Sequence, residues 1–336
     1  MEDGGYKMNA GAGILGCGRY VPELRLTNEE LALSFGTTAE KIERKAGIKA
    51  RSRAPQDMAT SDMAALAAVE ALKDAGTDPS EIGMILVSTT TPDMVFPSTA
   101  CLVQKAIGAH KAAALDISAA CTGFLYGLDM AACYISSGRY DKVLLIGAET
   151  YSRITNPDDV STSVLFGDGA GAVVVGRVPE GFGVLDTVLG ADGGGADLLA
   201  VPAGGSRLPV TPELLEKRMN TIFMSGREVF EFAVGILELM INQLLSDNGL
   251  SLPDISLIVP HQANKRILLN VCGNMGIPPE KMYCNIENYG NMSAASVPVA
   301  LTEAVLEGRI SRGNLLLFAG FGAGLTWGGS LIRWGC

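Results

Sequence analysis

An internal repeat at a nearly constant offset is the strongest restriction that this sequence places on its fold. The matching segments are residues 74–87 with 247–260 (247 − 74 = 173), residues 143–147 with 315–319 (315 − 143 = 172) and residues 116–117 with 285–286 (285 − 116 = 169). Three matches that keep their order at almost one offset indicate a duplicated unit. We therefore predict two similar halves, residues 1–178 and residues 179–336, that meet near Pro179.

Each half alternates helical and strand patterns. Residues 62–74 have helical spacing and end just before Gly76, and residues 83–88 form the continuous apolar run of a strand covered on both faces. Residues 164–175 predict hairpin strands around residues 167–169. Residues 227–245 predict a long helix whose apolar stripe comprises Phe230, Val234, Leu237, Ile241 and Leu244. Alternation of this kind is typical of a layered α/β fold.

The composition allows a large core and disfavours anionic partners. Of the 336 residues 48% are hydrophobic, and 36 acidic side chains outnumber 26 basic ones, so we expect neither nucleic acid nor a membrane as a partner. Residues 1–5 lack the basic and apolar regions of a signal peptide. Asp129 interrupts the weakly polar residues 117–135, which favours a buried helix there over a membrane span.

Seven cysteines without a CxxC pair predict reduced thiols in a cytoplasmic protein, and their spacing disfavours a zinc site. Six of them are interpreted as core packing. Cys121 differs, because it stands between the apolar residues 113–120 and a helical pattern that begins at Thr122. The first amides of a helix are unpaired and carry the positive end of its dipole, so we expect this thiol to lose its proton more easily.

Two further side chains fit a site around that thiol. His261, one of two histidines, follows the strand-like residues 257–260, where ligand sites of α/β sheets lie, and Asn291 lies in residues 288–293. Each also has a structural interpretation, core packing for His261 and a turn with Gly290 for Asn291. Together the Cys, His and Asn indicate carbonyl chemistry through a covalent thioester, at a seam between the two halves.

Residues 11–16 match GxGxxG, the dinucleotide-binding fingerprint, which needs a preceding strand and a following helix. Both flanks are poor matches to those elements. We therefore interpret the motif as a glycine-rich first strand, and a nicotinamide-linked dehydrogenase is the weakest of the functional hypotheses.

The motifs together resemble the thiolase superfamily of condensing enzymes, and specifically the β-ketoacyl-acyl carrier protein synthase III family. The similarity covers nearly the whole chain, from about Ile14 to Trp334, and rests on residues 116–124, 166–171, 260–264, 289–296 and 321–328. The resemblance implies a thiolase-like five-layered α/β fold built from two duplicated halves. It also implies an acyltransferase that carries out a decarboxylative Claisen condensation.

The resemblance assigns a role to each site residue. Cys121 would accept the acyl group, and His261 and Asn291 would stabilise the enolate left when carbon dioxide departs. The backbone amides of Cys121 and Ala323 would form the oxyanion hole. Phe96, Asn264, Arg266 and Phe321 are the substrate-binding positions that the resemblance implies. Of these, Phe96 would reach across a homodimer interface to the acyl pocket of the partner.

The same resemblance implies acyl-coenzyme A and malonyl-acyl carrier protein as substrates, the carrier protein as a partner, and no cofactor or metal. Three positions depart from the family pattern. Lys41 and Val160 stand where a Trp and an Arg would sandwich the adenine of coenzyme A, and Glu231 replaces a basic residue of the carrier-protein patch.

Alternatives remain open at this point. A condensing enzyme or acyltransferase of a specialised pathway, with an acyl-carrier-protein donor or another acceptor, has the same residue set. A cysteine hydrolase would release free acid without carbon dioxide, and a non-catalytic scaffold would be expected to have lost Cys121 or His261.

Overall fold

The computed structural model describes residues 11–336 and is organised by two mixed sheets. The strands are β1 (Ala12–Tyr20), β2 (Arg25–Thr27), β3 (Ala50–Ser52), β4 (Met84–Ser88), β5 (Ala113–Ile117), β6 (Lys142–Thr150), β7 (Asp168–Arg177), β8 (Gly183–Ala191), β9 (Leu199–Ala200), β10 (Phe223–Met224), β11 (Leu257–Pro260), β12 (Leu315–Gly322) and β13 (Thr326–Arg333). The helices are α1 (Asn28–Phe35), α2 (Ala39–Ala46), α3 (Thr60–Asp74), α4 (Thr99–Ile107), α5 (Gly123–Ser136), α6 (Val160–Ser163), α7 (Pro212–Glu216), α8 (Gly226–Asp247), α9 (Lys265–Met275), α10 (Ile286–Tyr289) and α11 (Ser296–Leu306).

The two sheets have matching strand orders. The first sheet runs β1-β7-β6-β4-β5, and the second runs β8-β13-β12-β11. Corresponding pairs also match in direction, since β4 and β6 are parallel as β11 and β12 are, while the pairs β6/β7 and β12/β13 are antiparallel. At the position that corresponds to β5, the second half has one isolated parallel β-bridge, between Ile258 and Met282. The strand β7 ends at Arg177 and β8 begins at Gly183, so residues 178–182 connect the two sheets.

The elements stack in five layers. One outer layer, α3 and α4, packs its alanine-rich face on the first sheet, and the other, α8 and α9, packs on the second sheet. The central layer is α5 and α11, whose Phe124, Leu128 and Leu301 share a core with Leu145 of β6 and Phe318 of β12. This arrangement confirms the five-layered α/β fold that the resemblance implied.

Several local predictions are confirmed and two are corrected. The predicted strand at residues 83–88 is β4, and the predicted helices are α3 and α8. On α8, Leu237, Ile241 and Leu244 are buried as predicted, but Phe230 and Val234 are only partly buried, because Val229 and Ala233 occupy the core side of the first turns.

The hairpin predicted at residues 164–175 is wrong. The strand β7 pairs with β1 and β6, and the preceding residues pair elsewhere, with Phe166 bridging to Asn291 of the second half. A distant partner therefore replaces the local turn.

Of the helices in residues 11–336, one, α8, is long and apolar enough in length and composition to cross a membrane. Its buried stripe packs on the second sheet. The segment considered at residues 117–135 contains the central helix α5, eight residues of which are buried, as the buried-helix prediction required.

Residues 12–16 of the GxGxxG match belong to β1, and no helix follows them, because the strand continues to Tyr20. The last glycine of the match serves helix packing instead. A Cβ atom on Gly16 would lie 2.3 Å from the Ala75 nitrogen at the end of α3, and one on Gly18 would lie 2.3 Å from the Ala71 nitrogen. The glycine-rich strand thus lets α3 approach the sheet closely, which confirms the structural interpretation of the motif.

We expect Gly16→Ala to destabilise the fold by roughly 1–3 kcal/mol, because the added methyl group forces α3 away from β1. Gly273→Ala is the matched control, since its Cβ meets nothing within 4 Å on the exposed side of α9. Removing a helix glycine there should stabilise by about 0.5–1 kcal/mol. Urea unfolding followed by circular dichroism measures both, and equal midpoints for the two variants would contradict this packing account.

Candidate active site

Cys121 lies at a sharp turn between β5 and α5. A short 3₁₀ turn, Ala120–Thr122, joins the strand to the helix, and Ala120 has a φ of 46°, in the left-handed region that non-glycine residues rarely adopt. Cys121 is buried beside the N-terminus of α5. The predicted strand-to-helix position of the thiol is what the structure shows.

The second half repeats this turn without a thiol. Ser293 has a φ of 47° and begins the 3₁₀ turn Ser293–Ala295, which leads into α11. It is the repeat counterpart of Ala120 (293 − 120 = 173), which makes Ala294 the counterpart of Cys121. The two turns pack against each other. The thiol therefore lies at the seam of the duplicated halves, as the positions of the candidate residues predicted.

His261 directly follows β11, and its backbone N–H donates to the Ala319 carbonyl at 2.7 Å. The ring is 1% exposed and lies edge-on to Phe321, with ring centroids 5.5 Å apart. Among residues 11–336 neither ring nitrogen has a hydrogen-bond partner. Burial lowers the pKa of His261 to about 3, so the imidazole is neutral near pH 7 and one of its nitrogens carries a proton to donate.

Asn291 is held by backbone bonds on both sides of Phe166. Its N–H donates to the Leu165 carbonyl at 2.8 Å, and its carbonyl accepts from the Gly167 N–H at 2.9 Å. The side-chain Oδ1 accepts from the Ser293 N–H at 2.8 Å, which leaves the amide NH₂ group as the end available to a ligand. Two of the resemblance motifs thus meet at this residue.

Two cavities open at Cys121. The first, here the histidine cavity, has a volume of about 70 Å³ and is lined by Cys121, Leu165, Phe166, Leu199, Met224, Gly226, Val229, Phe230, His261, Ala263, Asn264, Ile267, Asn291, Phe321 and Gly322. The second, the apolar cavity, has a volume of about 210 Å³ and is lined by Thr90, Ala120, Cys121, Tyr151, Ile154, Phe166, Leu199, Ala200, Val201, Ile222 and Ala323. Cys121, His261 and Asn291 therefore share one cavity, and none of the described residues that line it is Asp or Glu.

The loop after β12 lies close to the backbone of the thiol. A Cβ atom at Gly322 would lie 2.9 Å from the Cys121 nitrogen, so only glycine permits this approach. Thr122 Oγ1 lies 2.8 Å from Thr326 Oγ1, and the Thr326 hydroxyl donates to the Ala323 carbonyl at 3.1 Å. These bonds join the loop that contains Ala323 to the turn that contains Cys121. Ala323 and Cys121 both line the apolar cavity.

The remaining predicted substrate positions lie in different places. Asn264 and Phe321 line the histidine cavity, and Asn264 also caps α9 by accepting from the Arg266 N–H at 2.9 Å. Arg266 does not line that cavity, but its guanidinium lies 5.6 Å from the ring centre of Phe230, which does. Phe96 is 82% exposed on the loop between β4 and α4 and lines neither cavity.

The expectation of an easily ionised thiol does not describe this buried site. Desolvation raises the pKa of Cys121 to about 12; a hydrogen bond with the Ser293 hydroxyl lowers that pKa, and the Glu149 carboxylate raises it. Removal of the thiol from water therefore outweighs the favourable helix terminus.

The sequence reasoning missed a polar cluster behind the thiol, formed by Thr90, Glu149, Tyr151 and Ser293. One signal was present, because Glu149 is a charged residue at the end of the apolar run of β6. Within residues 11–336 no group of three or more His, Cys, Asp or Glu side chains is placed to hold a metal ion.

A separate surface pocket of about 290 Å³ contains two of the departures from the family pattern. It is lined by Phe35, Thr37, Lys41, Ile42, Lys45, Val160 and Val164. Lys41 and Val160, distant in sequence, therefore share one pocket.

Two duplicated halves stacked in five layers around a seam define the thiolase class of fold. Models of the N-terminal and C-terminal parts of 3-oxoacyl-[acyl-carrier-protein] synthase III match residues 115–193 and 245–334. The chain is 50% identical over 323 residues to the β-ketoacyl-[acyl-carrier-protein] synthase III of Caldanaerobacter subterraneus subsp. tengcongensis, covering 96% of this chain and 98% of the relative.

Solved structures agree. The 3-oxoacyl-[acyl-carrier-protein] synthase III of Aquifex aeolicus is 43% identical with a TM-score of 0.89, covering 96% of this chain and all of that one. A priming β-ketosynthase of the R1128 polyketide biosynthetic pathway is 34% identical with a TM-score of 0.88, covering 97% of each chain. The chain belongs to the β-ketoacyl-acyl carrier protein synthase III family of acyltransferases.

Proposed function

We propose that this acyltransferase transfers an acyl group from acyl-coenzyme A to Cys121 and condenses it with malonyl-acyl carrier protein, the reaction that starts fatty-acid synthesis. The proposal rests on one observation, that Cys121, His261 and Asn291 line the same cavity. None of the described residues that line this cavity carries a carboxylate. A thiol and two neutral donors suit carbon–carbon bond formation through an enolate.

In the first half-reaction the Cys121 thiolate attacks the thioester carbonyl of the donor. The amides of Cys121 and Ala323 stabilise the oxyanion of the tetrahedral intermediate, and coenzyme A leaves as its thiolate. The apolar cavity receives the acyl chain, because its lining is mostly aliphatic and aromatic and ends at Cys121. The proposed reaction uses no cofactor.

In the second half-reaction the histidine cavity binds the malonyl thioester. The His261 ring N–H and the Asn291 NH₂ group donate to its carbonyl oxygen and stabilise the enolate as carbon dioxide departs. The enolate carbon then attacks the acyl-Cys121 carbonyl, and the thiolate of Cys121 leaves. Phe321 orients the imidazole edge-on, and Asn264 borders the path toward the protein surface.

Substrate recognition is proposed to use the lysine pocket and α8. Lys41 and Lys45 would pair with phosphates as point charges, without the stacking that the adenine sandwich provides. On α8, Glu231 is paired with Arg227 at 2.8 Å, which leaves the carrier-protein patch less basic than in the family pattern. Arg266 remains a proposed contact for the pantetheine arm.

We also propose a cytoplasmic homodimer. Val95 and Phe96 are 95% and 82% exposed, an apolar pair that a partner subunit would cover, with Phe96 walling the partner's acyl pocket. The spacing of the seven cysteines, which include no CxxC pair, favours a reducing compartment. The halves are proposed to be residues 1–178 and 179–336.

A condensing enzyme of a specialised pathway is the second candidate. The likeness to the R1128 priming ketosynthase over 97% of both chains favours it, since that protein has the same fold and serves polyketide synthesis.

The test is turnover with malonyl-acyl carrier protein and acetyl-, isobutyryl- or octanoyl donors, carried on coenzyme A or on carrier protein. We expect carbon dioxide and a β-ketoacyl-carrier-protein product, with the chain preference set by the apolar cavity. Lys41→Ala combined with Lys45→Ala should raise KM for coenzyme A donors alone. Lys217→Ala is the control, because Lys217 is an exposed lysine just after α7 that does not line this pocket, and it should leave KM unchanged. Free acid without carbon dioxide would instead establish a hydrolase.

A further inference from the structure

Behind Cys121 lies a buried carboxyl that the condensation steps leave unused. Glu149 stands at the end of β6 with no exposed surface. Its carboxylate accepts from the backbone N–H groups of Thr90 and Thr91 at 3.1 Å, and from the Thr91 hydroxyl at 2.5 Å. So many donors hold the carboxyl in one orientation inside the protein.

Ser293 links this carboxyl to the thiol. Its hydroxyl donates to Glu149 Oε1 at 3.1 Å, and the turn that begins at Ser293 packs against the turn that carries Cys121. Ser293 is close enough to the thiol to lower the pKa of Cys121. The left-handed turn places Ser293 there, and its own N–H donates to Asn291 Oδ1. The Ser293 hydroxyl therefore lies between the Cys121 thiol and Glu149 Oε1, hydrogen-bonded to the carboxylate and next to the thiol, which offers a short path for a proton between the two.

The groups that face Glu149 leave it few alternative proton partners. The segment from Thr89 to Thr91 presents hydroxyls and amides, and the titratable neighbours are the thiol of Cys121 and the phenol of Tyr151. Burial raises the pKa of Tyr151, so the phenol stays protonated. None of the ion pairs in residues 11–336 involves Glu149.

The proton affinities suit an exchange along this path. Burial raises the pKa of Glu149 to about 7, against the lowering effect of its hydrogen bonds from Thr91, Thr90 and Ser293. His261 has a pKa of about 3 and is a poor proton acceptor, while the thiol resists ionisation on its own. A carboxyl near neutrality is matched to accept and return a proton at the working pH.

We infer that Glu149, acting through Ser293, is a positioning residue that receives the Cys121 proton during acylation. The S–H proton passes to Ser293 Oγ as the Ser293 hydroxyl proton passes to Glu149 Oε1, which leaves a thiolate that accepts from Ser293 and a neutral carboxylic acid. The thiolate forms the new C–S bond, and the departing coenzyme A thiolate takes a proton from water. When condensation releases the Cys121 thiolate, the proton returns from Glu149 by the same path. The acylation steps rest on the proposed function.

Glu149→Gln should break the path while keeping the fold. The amide oxygen can still accept from the Thr90 and Thr91 N–H groups, and the NH₂ group can donate to the Ser293 hydroxyl, but it accepts no proton. The folded-state pKa of Glu149 lies above its ordinary value of 4.5, so this carboxyl lowers stability as pH rises from about 4.5 to about 7. Its replacement is therefore expected not to reduce stability above pH 7.

The experiment measures two rates between pH 5.5 and 9.5, iodoacetamide alkylation of Cys121 and single-turnover acylation by acetyl-coenzyme A. In the wild type both rates should rise through an inflection near pH 7 as Glu149 ionises. Glu149→Gln and Ser293→Ala should each lose on the order of 100-fold at pH 7.5 and recover only at high pH, where the thiol ionises unaided. Tyr151→Phe, which removes a neighbour of Ser293 outside the path, should keep the inflection.

A folded Glu149→Gln enzyme with the wild-type pH profile would overturn the inference, as would additive losses in the Glu149→Gln, Ser293→Ala double variant. If Glu149→Gln does not fold, Ser293→Ala alone decides between a lost and a retained inflection. Alkylation needs no acyl donor, so it tests the proton path independently. A wild type that no donor acylates would instead count against the proposed function.

Discussion

Replacing Cys121 with serine is expected to abolish the acyl adduct and to reduce condensation by on the order of 10⁴-fold or more. The hydroxyl is a far weaker nucleophile than the thiolate, and the neutral imidazole of His261 is too weak a base to activate it. Intact-protein mass spectrometry after incubation with acetyl-coenzyme A reads the adduct directly.

Cys101→Ser is the control for loss of a thiol elsewhere, because Cys101 is exposed on α4 and lines neither cavity at Cys121. That variant should gain one acyl group, as the wild type does. An adduct of equal size on Cys121→Ser would show that another residue accepts the acyl group, and the assigned roles would then be wrong.

The second large effect is expected from the two donors of the histidine cavity. His261→Ala and Asn291→Ala should each lower condensation by about 10²–10³-fold, because each removes one of the two donors that we propose for the developing enolate. Acylation of Cys121 should change only a few-fold, since neither side chain serves that step. Parallel assays of adduct formation and carbon dioxide release separate the two half-reactions.

Asn270→Ala is the matched control for loss of an amide, because Asn270 is exposed on α9 and, among residues 11–336, its side chain bonds only to the Arg266 carbonyl, as a donor. It should leave both half-reactions unchanged. Loss of adduct formation in both donor variants would contradict the assignment of His261 and Asn291 to the condensation step alone.

In a Cys121→Ala enzyme, decarboxylation of malonyl-acyl carrier protein should continue, and its rate should stay nearly constant from pH 5 to pH 8. The reason is that His261, with its pKa lowered to about 3, remains neutral across that range.

Local patterns were sufficient for much of the fold. Sequence patterns predicted the strand β4, the helix α3 and the apolar stripe of α8. They could do so because burial of a strand or of a helix face produces a recognisable pattern of apolar residues. The thiol at the start of α5 was readable for the same reason, since a strand pattern ends and a helix pattern begins around it.

Long-range pairing accounts for the errors and omissions. The hairpin predicted at residues 164–175 does not form because Leu165 and Gly167 bond to Asn291 instead. The partnership of Ser293 with Glu149 spans 144 residues and has no periodic trace. Nothing local indicates that Ser293, the counterpart of Ala120 in the repeat, faces the thiol of the other half.

The sequence by itself determined the duplicated α/β plan and the turn that carries Cys121, and it singled out His261 and Asn291 as candidate site residues, because these inferences depend on residue type and spacing along the chain. Only the tertiary structure decided the protonation chemistry. The two halves close around the seam, exclude water from Cys121, His261 and Glu149, and so raise the pKa of the thiol and of the carboxyl while lowering that of the imidazole. Desolvation is a property of the assembled seam, and it arises only when both halves are in place.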